Sequence, residues 1–443
     1  MTNRVAIHPT RARQGGFSLV ELLVALAILV LILVGVLQLF DMHSRIARTQ
    51  TNVADMQQSL RVSQNEMIKL VRMAGRGMLP AAHTTLTKPG ADEKLLPNGI
   101  SVEVLPNVAD GTQMGGNDVV PGTDVLIIRG VISSPIYLVD TVQTANFVFN
   151  DTNGDEIPDN GVIKNIRSTP KVDRLPIDGS PLKKAIEDSK AATPVLASLV
   201  LVSPVSDGIY AVVEIDPATS NWPAADYPGE SDPTGAWSAD VGFKSSAGTL
   251  TADYAKLSPK GAFPKELRTI AYLAPLDEYR FYVREEYAIP ADTTSELMPA
   301  LSVARYFPGS NTVRPGEGSV DIADNILDLQ VTLGIDLDQD GVINPEADPA
   351  DPANDEWLFN HDSETTDLDA TKTTWQDRLL YYLRVNTLAR TDRPDLDFVS
   401  EPLDLIEDRD WSEPDVPGSD QARRERMHRR RLMQTTIDLR NLS

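Results

Sequence analysis

The sequence predicts an α+β protein, in which one long N-terminal α-helix packs on an antiparallel β-sheet head that carries long loop insertions. Three observations lead there. An apolar run of helical length stands near the N-terminus, and apolar residues recur at helical spacing after it. Beyond Pro80 this gives way to short apolar or alternating runs separated by Gly, Pro, Asp and Asn, the pattern of strands and loops. The 443 residues are enough for a sizeable core, and a composition 41% hydrophobic and 24% charged is that of a folded chain.

Residues 1–16 carry Arg4, Arg11 and Arg13 with no acid and end in Gly15-Gly16, a basic flank of the kind retained in the cytoplasm. From Phe17 to Phe40 the chain reads FSLVELLVALAILVLILVGVLQLF, with Glu21 its only charged residue. Residues 17–44 thus form a single-pass segment able to cross a hydrocarbon layer ~30 Å thick. A secretory signal would place small residues after its apolar core, whereas here the glycines come first, so cleavage at them would keep the helix. A carboxylate inside an apolar span costs ~2.5–3.5 kcal/mol at a membrane centre by insertion scales, and a plain anchor gives no reason for Glu21. A terminal amine created at Phe17 would give it an opposite charge.

Residues 45–78 continue the helix in amphipathic form, with Val53, Met56, Leu60, Met67, Leu70 and Ala74 on one stripe. Gly75 and Gly77 mark its end, so one helix runs from about Phe17 to about Arg72, roughly 80 Å at 1.5 Å per residue.

The head, residues 79–443, contains candidate strands at Ile100–Val104, Asp124–Gly130, Leu196–Ser203, Ile209–Ile215, Arg280–Arg284, Ile326–Leu333, Leu379–Leu388 and Thr435–Arg440. The segments 196–203 and 209–215, joined through Ser206-Asp207-Gly208, form the clearest hairpin. Residues 216–262 and 344–374 have little periodicity and read as inserted surface loops or partly disordered segments.

The charge of -23, from 64 acidic and 41 basic residues, disfavours specific nucleic-acid binding and suits hard cations. With no cysteine there are no disulfides, zinc-thiolate sites or thiol nucleophiles, and the five histidines lack zinc-type spacing. Two acidic segments do carry a metal-binding spacing. Asp151, Asn153, Asp155 and Asp159, with the backbone carbonyl of Ile157, occupy relative positions 1, 3, 5, 9 and 7 of a calcium loop. Asp336, Asp338, Asp340 and Asn344, with Val342, repeat the pattern, and Gly341 supplies the turn glycine that Glu156 replaces in the first loop. Neither loop has glutamate at position 12, so neither is an EF-hand. They resemble the calcium loops of thrombospondin-type repeats and dockerins. Calcium there would offset the entropy of ordering loops that no disulfide holds; a solvated acidic turn is the simpler alternative.

The run Arg423, Arg424, Arg426, Arg429, Arg430 and Arg431 reads as a lead-in that pairs with the acidic head rather than a site for DNA or anionic lipid. No nucleophile elbow, phosphate loop or zinc-protease helix is present, and no carboxylate pair stands out as acid and base, so neither catalysis nor a small-molecule substrate is expected.

The stretch GGFSLVELLVALAIL resembles the class III leader junction of type IV pilins and type II secretion pseudopilins. The resemblance implies that residues 1–16 are a leader, that prepilin peptidase cuts between Gly16 and Phe17, and that the new amine of Phe17 is methylated. It also implies that Glu21 pairs with the terminal amine of a neighbouring subunit during filament assembly. In the head, GTDVLIIRG at 122–130, ASLVLVSPVSDGIYAVVEI at 197–215, the run ending at Gly341 and RRRLMQTTIDLRNL at 429–442 resemble PilW-type minor pilins, although this head is longer than is usual for them. The implied partners are prepilin peptidase, other minor and major pilins, and the assembly platform in the inner membrane. The implied location is that membrane, with the head in the periplasm, and then the pilus. A J-type pseudopilin of type II secretion shares these features, and a membrane-tethered calcium-binding adhesin is the alternative of another class.

Overall fold

The computed structural model describes residues 18–77, 101–134, 136–139, 147–150, 160–167, 181–190, 197–202, 210–222, 239–244, 272–287, 297–308, 310–314, 316–335, 343, 356–359, 380–401, 403, 405–411 and 426–439. The chain divides into two compact units, one through Asp55 and one from Met56. Helix α1 (Leu19–Val71) contributes to both, close to the range its periodicity predicts.

In the first unit the apolar side chains from Leu19 to Phe40 are almost all exposed, Leu19 at 77% and Phe40 at 69%. Water does not tolerate such a surface over this length, and the helix is long and apolar enough to cross a membrane.

In the second unit α1 buries Met56, Leu60, Ser63, Gln64, Met67 and Val71, followed by Ala74, a single face at helical spacing. Two of these residues are polar. Ser63 Oγ donates to the carbonyl of Leu60 at 2.7 Å, and Gln64 Nε2 donates to the carbonyl of Met433 at 3.0 Å. Gln64 Oε1 also accepts from the hydroxyl of Thr435, so one amide fastens the helix to the last strand with both its groups. The turns after Val71 need the left-handed backbone, which Gly75 (φ 74°) and Gly77 (φ 101°) adopt without a Cβ penalty.

The strands, in chain order, are β1 (Val102–Leu105), β2 (Gln113–Met114), β3 (Asn117–Asp118), β4 (Val125–Gly130), β5 (Tyr137–Val139), β6 (Phe147–Asn150) and β7 (Asn160–Arg167). After α2 (Pro181–Ser189) come β8 (Ser198–Val202), β9 (Tyr210–Ile215), β10 (Ala239–Lys244), β11 (Tyr272–Pro275), β12 (Asp277–Tyr287), β13 (Leu297–Tyr306) and β14 (Val320–Asp324). The series ends with β15 (Ile326–Ile335), β16 (Trp357–Leu358), β17 (Leu380–Arg390), β18 (Leu405–Ile406), β19 (Arg409–Asp410) and β20 (Arg430–Asp438).

Among the described residues they form three main antiparallel sheets. One has the order β1-β4-β12-β13-β14, another β16-β15-β17-β20. In the third, β10-β9-β8-β11-β5-β7-β6, an extra β10–β7 pairing closes six strands into a ring with β6 outside it. Leu199, Leu201, Val213, Ile215, Val241, Phe243 and Leu273, from alternating positions of its strands, share one core with Leu182, Ala185 and Ile186 of α2. On the opposite face Val200, Val212 and Ala274 pack with Val131 and Leu276.

The expected hairpin is present as β8 and β9, with Leu199 opposite Val213. Two expectations are corrected. Residues 216–262 are not simply a surface loop, because β10 lies within them, pairs with both β7 and β9, and buries Val241 and Phe243. Residues 344–374 contain β16, which pairs with β15 and is flanked by buried Glu356 and Phe359. β16 has only two residues, and the alternation of β10 at Ala239, Val241 and Phe243 lies within a stretch rich in Gly, Ser and Ala; neighbours distant in sequence stabilise both. The final strand also starts earlier than expected, at Arg430 rather than Thr435.

Helix and sheet meet where α1 ends. The N–H of Gly75 donates to the carbonyl of Arg129 at 3.0 Å, and the N–H of Val131 donates to the carbonyl of Arg76 at 2.7 Å. Gly130 lies between, where a Cβ would stand 2.9 Å from the carbonyl oxygen of Met73 and 3.3 Å from two backbone nitrogens. Backbone cannot yield as a side-chain tip can. Gly130→Ala is therefore expected to destabilise the head by roughly 1–3 kcal/mol, whereas Gly318→Ala, into open space, shifts stability by less than about 0.5 kcal/mol. Melting curves of the two full-length variants in detergent micelles check this; equal melting temperatures would contradict it.

Candidate functional site

The site that the sequence singles out is the start of α1. Gly15, Gly16 and Phe17 lie outside the described residues, so their geometry is not part of the structure. Ser18 and Glu21 are described, and they hold each other. The N–H of Ser18 donates to Glu21 Oε2 at 2.9 Å, and the N–H of Glu21 donates to Ser18 Oγ at 3.2 Å. This is a reciprocal capping box, in which a serine at the N-cap and a glutamate three residues on satisfy two amides that the helix leaves open. It corrects the expectation that an ordinary anchor leaves Glu21 unexplained. The box takes one oxygen of Glu21, and the acid stands in the first turn, where the helix dipole also favours it. Oε1 remains for a cation, so a cap and a charge pair are compatible.

Asp151, Asn153, Asp155, Ile157 and Asp159, and Asp336, Asp338, Asp340, Val342 and Asn344, also lie outside the described residues. Their flanks are described. Asn150 and Asn160, the residues on either side of the first acidic segment, are cross-strand partners in the β6–β7 pair. The second follows directly on β15. Among the described residues no group of three or more His, Asp or Glu side chains is arranged to hold a metal ion.

Two arginines of the run, Arg426 and Arg429, are taken up locally, and Arg431 is exposed. Arg426 Nε donates to the carbonyl of Ser400 at 3.0 Å. Arg429 pairs with Asp395 at 2.9 Å and lies over the Phe398 ring at 4.2 Å. These contacts fasten the segment before β18 to the lead-in of β20, and buried His428 adds a 2.7 Å contact between Nδ1 and the carbonyl of Thr391.

Sequence periodicity missed a charged core. Arg129 on β4 is buried, with Nε 2.6 Å from Glu278 and Nη2 2.7 Å from Glu103. Glu278 also binds Arg280, whose guanidinium stacks 4.0 Å from the Tyr306 ring. Burial works against the charge of Arg129, but the two glutamates outweigh it and hold its pKa above the usual arginine value. The signal was the run Asp277-Glu278-Tyr279-Arg280 at the start of β12, directly before the buried Phe281-Tyr282-Val283. Such a network is structural: breaking a buried pair by removing one partner costs about 3–5 kcal/mol.

Residues 11–37 match the family model described as the prokaryotic N-terminal methylation motif. The matched stretch contains Gly15, Gly16, Phe17, Ser18 and Glu21. The motif indicates a type IV pilin-like or pseudopilin precursor processed by prepilin peptidase. No curated protein and no solved structure matches the chain.

The capping box makes a local prediction. Ser18→Ala removes the hydroxyl acceptor and is expected to weaken the first turn by about 1 kcal/mol. Amide exchange at residues 19–22 in micelles should quicken severalfold, while the melting temperature of the head stays unchanged. Unchanged exchange would show that the box does not hold the turn.

Proposed function

We propose that this chain is a PilW-type minor pilin, which enters a type IV pilus or primes its assembly. The observation that carries the reading is the junction at the N-terminus: a glycine pair, a phenylalanine, a serine-glutamate box and an exposed apolar helix, inside a methylation motif. In this reading residues 1–16 are removed between Gly16 and Phe17 and the new amine is methylated. The single-pass helix holds the subunit in the inner membrane, with the head in the periplasm, until assembly. Glu21 keeps its cap through Oε2 and presents its remaining oxygen to the terminal ammonium of a neighbouring subunit. In a hydrocarbon-like filament core the two charges attract strongly, and neither is left unpaired. The head contributes contacts to other pilins and no catalytic chemistry.

A J-type pseudopilin would carry the same junction, since the motif covers both. Gene deletion separates them. Loss of surface pili, restored by the wild-type gene, is expected for the pilus subunit; a normal pilus count with impaired protein secretion would assign the chain to the secretion system instead. Mass spectrometry of the subunit in sheared filaments should find an N-methylated Phe17 as its first residue, and an intact leader there would contradict the processing step.

Calcium at the two acidic loops belongs to the same proposal, supported by ligand spacing alone. Ligand binding at a hundred times its Kd stabilises a fold by ~2.7 kcal/mol. Saturating calcium is therefore expected to raise the melting temperature of the full-length protein by several degrees. Asp338→Asn with Asp340→Asn should remove the part due to the second loop, and no shift in the wild type would refute calcium binding.

A further inference from the structure

The hairpin formed by β18 and β19 covers a polar area of the four-stranded sheet. On β15 and β17, Asp328, Gln330 and Asn386 are buried, each within the stretch the hairpin touches. The hairpin is fastened there by Arg409, which binds Asp328 at 2.7 Å and the carbonyl of Pro121 at 3.1 Å. Trp411 Nε1 donates to the other oxygen of Asp328 at 2.7 Å, under the Arg409 guanidinium. Glu407, at the tip with φ 52°, accepts from Arg384 at 2.8 Å and from Asn386.

This arrangement uses up its cations. Arg409 neutralises Asp328 and Arg384 neutralises Glu407. Asp124 and Asp408 are left with neutral donors. Asp124 is fully buried and accepts from the N–H groups of Asn107 at 2.9 Å and Val331 at 2.7 Å. Asp408 Oδ2 accepts from the side chain of the same Asn107 at 2.7 Å. Asn107, itself at φ 43°, therefore bridges the two carboxyls.

The cluster is also short of hydrogens. Among the described residues, Asp408 Oδ1 and Gln330 Oε1 are buried acceptors without a donor. Gln330 is wholly buried, and its orientation is fixed because its Nε2 already serves Asp328 at 3.0 Å and the carbonyl of Gly122 at 3.0 Å. A buried acceptor left unsatisfied costs about 1–3 kcal/mol. Four carboxyls, two guanidiniums and two orphaned acceptors describe a site that binds protons.

We infer that the β18–β19 hairpin is a proton-dependent latch, seated on the four-stranded sheet while the Asp124–Asp408 pair holds a proton and released as that proton is lost. Burial is the largest influence on Asp408, and with the charges of Asp328 and Glu407 it pushes the carboxyl up to about 7 against the hydrogen bonds that lower it. Burial raises Asp124 well above its ordinary range, and Asp408 and Asp328 raise it further. The two titrate as a coupled pair. A folded-state pKa above the unfolded value of 3.8 means that the folded form binds more protons. The latch is therefore fully stabilised below pH 3.8, loses that contribution progressively as pH rises from there to about 7, and has lost it above that. The groups that face Asp408 come from every packed element: Asp124 before β4, Asp328 on β15, and Glu407 and Arg409 on the hairpin, with Arg384 on β17 behind Glu407. Among the described residues none is a histidine.

Hydrogen exchange of the full-length protein in micelles tests this, read on the hairpin amides from Ile406 to Trp411 between about pH 5 and pH 8, across the window that the two pKa values set, and corrected for intrinsic exchange. One linked proton predicts that protection falls on the order of tenfold per pH unit as pH rises toward about 7 and levels off above it. Asp408→Asn keeps the acceptor for Asn107 without the charge, and it should keep the hairpin protected and pH-independent, while the exposed-site control Asp110→Asn retains the wild-type dependence. Protection that is flat with pH in the wild type, or equally steep in Asp408→Asn, would overturn the latch. So would recovery of protection at pH 8 on adding millimolar calcium, since the cluster would then be a cation site.

Discussion

The head depends on one seam, where the last turns of α1 meet β4. Two backbone hydrogen bonds, Gly75 to Arg129 and Val131 to Arg76, tie a helix end to a strand end. Carbonyls at a helix C-terminus lack partners, and so does the backbone of a strand as it leaves its sheet; here each supplies what the other lacks. The seam places two glycines at left-handed φ and a third against backbone, and it puts Val131 between the helix turn and the closed ring of strands. The side chain of Arg129, from the same residue, runs into the Glu103–Glu278 pair. In a chain without cysteine, such polar stitching and the Gln64 clamp on β20 take the place that disulfides hold in many exported domains.

The sequence made the helix and most long strands legible, for identifiable reasons. From Met56 to Ala74 the buried face keeps helical spacing; the expected stripe named half-buried Leu70 where Val71 is buried, and Ser63 and Gln64 escaped it because their polar groups are satisfied inside. Strands such as β8, β9 and β15 declare themselves by apolar runs next to turn residues. By contrast β16 has only two residues, β10 alternates Ala239, Val241 and Phe243 within a stretch rich in Gly, Ser and Ala, and α2 keeps helical spacing at Leu182, Ala185 and Ile186 over only nine residues. The charged interior left only a faint mark, the run at Asp277–Arg280, because an inward Arg or Glu looks like a solvent-facing one until its partner is placed.

At the N-terminus the residues were legible and their roles only partly so. The spacing Ser18-x-x-Glu21 is itself a capping signature, and the membrane setting drew attention to the acid's cost rather than to its local use. The cap changes the question about Glu21. The acid is not stranded in an apolar segment; it has one oxygen in a structural bond and one that can still meet a cation. The proposed pairing with a neighbour's amine must therefore stand on charge, not on an unmet need for a partner.

That distinction can be measured. Glutamine at this position preserves a capping box and removes the charge. A charge-pairing Glu21 predicts that Glu21→Gln is processed to Phe17 and melts like the wild type, yet is missing from sheared filaments. Incorporation of Glu21→Gln at the wild-type level would contradict it and leave Glu21 a helix cap alone.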